Sequence, residues 1–97
     1  MSKAYWISTY QKINDSDKLA AYAALAGPAI TAGGGKFIVR GMPAKTYEAG
    51  VNERTVVIEF DSVDAAITTH DSPGYAAALA ALGDGAVREI RIVEGTA

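Results

Sequence analysis

The chain has 97 residues, of which 49% are hydrophobic and 21% charged, with a formal net charge of -2. That length supports one domain over residues 1–97 and not two, and the balance of apolar to charged residues excludes a disordered chain. The acidic net charge and scattered basic residues argue against nucleic acid as a partner, while the lack of cysteine excludes disulfides, thiolate catalysis and zinc-thiolate sites.

Residues 4–11, Ala-Tyr-Trp-Ile-Ser-Thr-Tyr-Gln, are rich in aromatic and β-branched types and predict a first strand. Asn14, Asp15 and Ser16 offer helix caps, and Asp17 places a negative charge in the first turn. Leu19, Tyr22, Ala23, Ala26 and Ile30 then recur at helical spacing and predict an amphipathic helix over about 15–32. Gly27-Pro28 inside it predicts a kink or a break. Gly33-Gly34-Gly35 ends the helix. It follows a helix instead of preceding one, so it does not match a phosphate-cradling loop. Lys36 to Gly41 reads as a second strand, residues 42–53 as a loop, and Arg54 to Phe60 as a third strand.

Ser62 caps a further helix with Val63, Ala66, Ile67 and His70 on one face. Ser72-Pro73 restarts it, with Tyr75, Leu79 and Leu82 as its apolar face, and Gly83-Asp84-Gly85 stops it. Val87 to Val93 is the last strand. The order βαββαβ predicts a ferredoxin-like α+β fold, a four-stranded antiparallel sheet with the helices on one face. The start, Met-Ser-Lys-Ala-Tyr-Trp, lacks a signal-like apolar run, and no segment has the roughly 18 apolar residues of a membrane span. The chain therefore reads as cytoplasmic, without a membrane partner.

Strand alternation assigns each side chain to a face. Ile90 and Ile92, Val56, Ile58 and Phe60, Phe37 and Val39, and Ile7 are expected toward the helices. Trp6, Ser8, Tyr10, Arg40, Glu59, Glu89 and Arg91 are then expected on the uncovered face. A face mixing large apolar groups with charges is either a partly exposed surface or a sheet that packs on a second copy and encloses a polar pocket.

The chain resembles the family of domain of unknown function 1330, in the dimeric α+β barrel superfamily. The residues that carry the resemblance are Ala26-Gly27-Pro28, Gly34-Gly35-Lys36-Phe37, Val39-Arg40-Gly41, Glu48 with Gly50, Arg54 to Phe60, Asp71 to Tyr75 and Ile92 to Gly95. Two positions depart from the family pattern: His70 stands where an aromatic residue is usual, and Gly74 where a glutamate is common. The resemblance implies a homodimer joined through its sheets, and no established reaction.

Candidate chemistry follows from the residue types. Trp6, Tyr10, Arg40, Glu59 and Arg91 form the expected ligand-binding set, with the arginines, Arg54 among them, able to fork onto a carboxylate or phosphate. Arg40 with Glu59 is alternatively a structural pair. His70, beside Asp71, and Glu59 are the candidate bases, with packing in the helix face as the other role for His70. Glu48 lies in a loop, where functional groups concentrate, and Tyr10, Tyr22 and Tyr75 need hydroxyl partners if buried. No metal site and no cofactor is expected, since one histidine and no cysteine leave only carboxylates without ligand spacing. Three functions remain open: a homodimer binding a small organic, possibly anionic, ligand; a cofactor-independent isomerase or monooxygenase; or an interaction module without a ligand.

Overall fold

The β-branched and aromatic run at the start forms β1, Ala4–Ile13. The computed structural model describes residues 2–96; Met1 and Ala97 lie outside the described residues. Asp15 caps α1, Ser16–Ala32, by accepting from the backbone N–H groups of Asp17 and Lys18. β2, Lys36–Gly41, and β3, Thr55–Phe60, follow, separated by a long loop. Ser62 caps α2, Val63–His70, and Ser72 caps α3, Pro73–Leu82, with proline in the first turn, where a missing N–H costs nothing. β4, Ala86–Glu94, completes the chain.

The four strands form an antiparallel sheet in the order β2-β3-β1-β4. With the helices on one face, this is the ferredoxin-like α+β fold. The core lies between the two layers, and Trp6, Tyr75, Phe60, Ile30 and Ile58 are its largest fully buried side chains. No helix among the described residues is long and apolar enough to cross a membrane.

Pro28 does not break α1, which runs uninterrupted through it. Its ring deprives the carbonyl of Ala24 of a helical partner, but both residues are exposed, so water can take that place. Gly35 has a stricter reason to be glycine: a β-carbon there would lie 2.8 Å from Phe60 Cζ and 2.9 Å from Ile58 Cγ2. The chain leaving α1 thus passes directly over the core.

Two face assignments need correction. In β1 it is Trp6, Ser8 and Tyr10 that face the helices, and Ile7 that faces outward. The larger aromatic groups bury more apolar area, and the indole N–H of Trp6 finds the hydroxyl of Ser8 at 3.0 Å, so neither polar group is left unpaired. In β2 the register slips by one residue between Phe37 and Val39. Phe37 pairs with Ile58 on the helix side, Val39 with Val57 on the outer side, and Arg40 with Val56 on the helix side again. Strict alternation therefore misplaces Val39 and Arg40. The helix faces also rotate slightly, with Ala66 and Thr69 buried in α2 and Ile67 exposed, and Ala78 buried in α3 and Leu79 more exposed.

Candidate functional site

The helix-facing side of the sheet is built in cross-strand rows. At one end Ile92, Trp6 and Ile58 lie side by side across β4, β1 and β3. At the other end Arg88 of β4 lies beside Tyr10 of β1, and the backbone N–H of Tyr10 donates to the carbonyl of Arg54, just before β3. Ser8, Val56 and Arg40 occupy the row between. The second end is therefore polar and cationic, and α1 covers it only in part.

A cleft of about 260 Å³ opens there between α1 and the sheet. Leu19, Ala23, Ala26, Phe37, Val56 and Ile58 supply much of its apolar wall. Its polar groups are Arg40, Arg54 and Arg88, with Ser8, Ser16, Tyr10 and Tyr22. No Asp, Glu or His among the described residues lines it.

Arg88 organises this end. Its Nη1 donates to the hydroxyls of Tyr10 and Tyr22, each at 3.0 Å, and its Nη2 donates to that of Tyr75 at 3.1 Å. Its guanidinium also stacks over the Tyr22 ring, 4.4 Å from the centroid. Burial works against the charged guanidinium, but the oxygens of Tyr22, Tyr75 and Tyr10 outweigh it and hold the pKa above the ordinary arginine value. Burial foremost pushes the Tyr75 phenol well above the usual tyrosine range, and burial also raises the Tyr10 phenol against the opposing pull of Arg88. Both therefore stay protonated at neutral pH.

Counting protons shows what this cluster lacks. A guanidinium carries five N–H donors, and three are used on the phenols. Nε has no partner, and no buried side-chain nitrogen or oxygen goes unpaired among the described residues, so Nε reaches open space. Tyr22 and Tyr75 share one hydrogen bond of 2.7 Å, in which one hydroxyl donates to the other. The hydrogen of Tyr10 and that of one member of the pair have no acceptor among the described residues. Arg40, Arg54 and Arg88 have no ion-pair partner among the described residues either; Arg40 rests over the Phe37 ring. The cleft is a surplus of donors and positive charge without a lining carboxylate, an arrangement suited to an oxyanion.

The five expected ligand-binding residues do not form one site. Tyr10 and Arg40 line the cleft. Trp6 is sealed in the core against Phe60, Tyr75 and His70. Glu59 and Arg91 sit on the opposite face of the sheet, Glu59 paired with Lys3 at 3.2 Å and Arg91 with Glu89 at 3.1 Å, so Arg40 and Glu59 are not partners. The candidate bases are also apart from the cleft. His70 lies beside Trp6 and Tyr75, with Nδ1 3.1 Å from Asp71 Oδ1, at a shallow groove formed with Ile90 and Ile92. Glu48 is exposed in the loop between β2 and β3, with a φ of 52°. Arg88 is the residue sequence reasoning missed. It shares the inward parity of Ile90 and Ile92, a signal that points it toward the helices but says nothing of the tyrosines it meets there.

The outer face of the sheet mixes Ile7, Val57, Val39, Val87 and Val93 with the Glu59, Glu89 and Arg91 charges. Val39, Val87 and Val93 are about half exposed there.

The sequence matches the family described as domain of unknown function 1330 over residues 3–96. No curated protein matches it. A protein of unknown function from Rhodopseudomonas palustris is similar in structure, with a TM-score of 0.76 at 16% identity, over 99% of this chain and 84% of that one. A dimeric ferredoxin-like protein of unknown function from Thermobifida fusca has a TM-score of 0.67 at 20% identity, over 97% of this chain and 92% of its own. SnoaB, a cofactor-independent oxygenase from Streptomyces nogalater, has a TM-score of 0.64 at 14% identity, over 100% of this chain and 96% of its own. At these identities the likeness is one of fold.

Proposed function

The chain belongs to the family of domain of unknown function 1330, whose description assigns no activity, and we propose that this member binds a small organic anion in the cleft between α1 and the sheet. One observation carries the reading: Arg88 is a half-buried cation whose partners are three phenols and no carboxylate. A half-buried charge without a counter-ion is costly unless a ligand supplies one. The unbonded Nε and the remaining Nη2 hydrogen are donors left for a carboxylate, and the free phenol hydrogens can complete its shell. The apolar wall would take the body of the ligand. The cleft, about 260 Å³, suits a compact ligand.

The cleft favours binding over base-driven chemistry. An isomerase that abstracts a proton with a side-chain carboxylate or imidazole needs that group within reach of the substrate, and the described residues lining the cleft include none. The enzymatic variant compatible with the lining is one whose substrate forms an oxyanion that Arg88 and the phenols stabilise.

The second part of the proposal is a homodimer joined through the outer sheet face. Its support is the half-exposed apolar set around Ile7 and Val57, interleaved with charges, and the dimeric state of the Thermobifida fusca protein of the same fold. Sedimentation should give a dimer, and Val57→Arg should give a monomer.

The direct test is a thermal-shift titration with benzoate, phenylacetate and inorganic phosphate. An organic acid at about a hundredfold its Kd should stabilise the protein by about 2.7 kcal/mol, and the response should vanish in Arg88→Met. A melting temperature indifferent to every organic acid, or equal shifts in the variant, would overturn the proposal.

A further inference from the structure

The anion cleft has more positive charge than one acid needs. Arg88 alone, with the phenols around it, suffices for one carboxylate. Arg54 and Arg40 also line the cleft, and neither has a carboxylate partner among the described residues. Their places in the sheet are distinct. Arg88 and Arg54 flank Tyr10 on either side, in β4 and before β3, so at about 4.8 Å per strand their backbones lie roughly 10 Å apart. Arg40 is on β2, one strand further toward the open edge, opposite Val56. Between β4 and β2 the floor is made by Tyr10 and Ser8 of β1 and Val56 of β3.

We infer that the cleft takes a diacid, with one carboxylate on the free edge of Arg88 and the second between Arg54 and Arg40, joined by a short spacer that crosses β1. The inference rests on the anion-binding reading and adds to it a second seat. Charge supports it: three cations face one cleft with no acidic residue lining it, and like charges so arranged repel unless countered. Placement supports it too, because Arg88 and Arg40 are carried by the two edge strands, with β1 and β3 between them.

Its consequence is selectivity. A monoacid leaves Arg54 and Arg40 uncompensated, while a diacid satisfies both sides. The test measures Kd by calorimetry for succinate, glutarate, adipate and terephthalate against butyrate, valerate, hexanoate and benzoate. In the wild-type protein one diacid should bind about tenfold more tightly than its matched monoacid, the factor expected of one added charge-assisted pair. In Arg40→Met/Arg54→Met the ratio of the two constants should fall to near one. The wild-type series stands without the variants, and Arg40→Gln and Arg54→Gln taken singly repeat the test with less change in shape. Equal affinity for monoacid and diacid in the wild-type protein would refute the second seat and leave the anion-binding reading intact. So would a double variant that keeps the diacid ratio. If neither monoacids nor diacids bind, both readings fall.

Discussion

Two ends of one helix–sheet interface share the same strands and the same side of the sheet, yet are chemically opposite. At the Trp6 end the side chains interlock: the Trp6 ring is 4.9 Å from that of Tyr75 in an edge-on contact and 6.2 Å from that of Phe60 in a stacked one, and all three are fully buried. At the Arg88 end a cleft of about 260 Å³ is left open and cationic. Each strand that enters both ends changes character within a few residues, from Trp6 to Tyr10 in β1 and from Ile92 to Arg88 in β4. The difference teaches that close packing is concentrated at one end, while the other is left open for the ligand proposed above. Tyr75 spans the two, with its ring on Trp6 and its hydroxyl on Arg88.

That division can be broken or sharpened by substitution. Trp6→Ala removes the largest buried side chain and should destabilise by about 3–5 kcal/mol in urea unfolding; a loss under about 1 kcal/mol would mean the packed end is not the anchor. Gly35→Ala places a methyl against Phe60 and Ile58 and should cost about 1–3 kcal/mol. Tyr75→Phe keeps the ring packing and deletes the hydroxyl shared with Tyr22 and Arg88, with an expected loss of about 1–2 kcal/mol and weaker anion binding. Arg88→Met should change stability by under about 1 kcal/mol, since lost hydrogen bonds are offset by relief of an unpaired half-buried charge, while organic-acid binding disappears. A large stability loss in that variant would make Arg88 a structural residue and erase the contrast between the ends.

The smallest effect belongs to the exposed pair of Lys18 and Asp84, 2.5 Å apart. The Lys18 hydrogen bond holds the Asp84 carboxyl below its ordinary pKa. A depressed folded-state pKa contributes stability above the unfolded value, and that contribution is lost as pH falls through the folded one. Asp84→Asn should therefore lower the melting temperature slightly at neutral pH and leave it unchanged in strong acid.

The order of elements was readable because hydrophobic periodicity and capping are local: Ser62, Ser72-Pro73 and the glycine triplet mark their boundaries in the sequence itself. The tyrosines that would need hydroxyl partners were legible for the same reason. The site was not, because membership in it depends on parity across strands. Ile7 and Trp6 both satisfy an inward position by composition, and the choice turns on the Ser8 hydroxyl meeting the indole. Arg88 carries a charge, so it reads as solvent-facing until three phenols from three different elements are brought around it.

The register slip in β2 has a consequence for how this protein can be altered. Because the bulge at Ile38 sets which way Arg40 points, strand register here governs electrostatics. Were Ile38 instead to pair with Val57, as in an unbulged strand, Val39 would turn inward opposite Val56 and Arg40 outward opposite Thr55, leaving two guanidinium groups in the cleft where there were three.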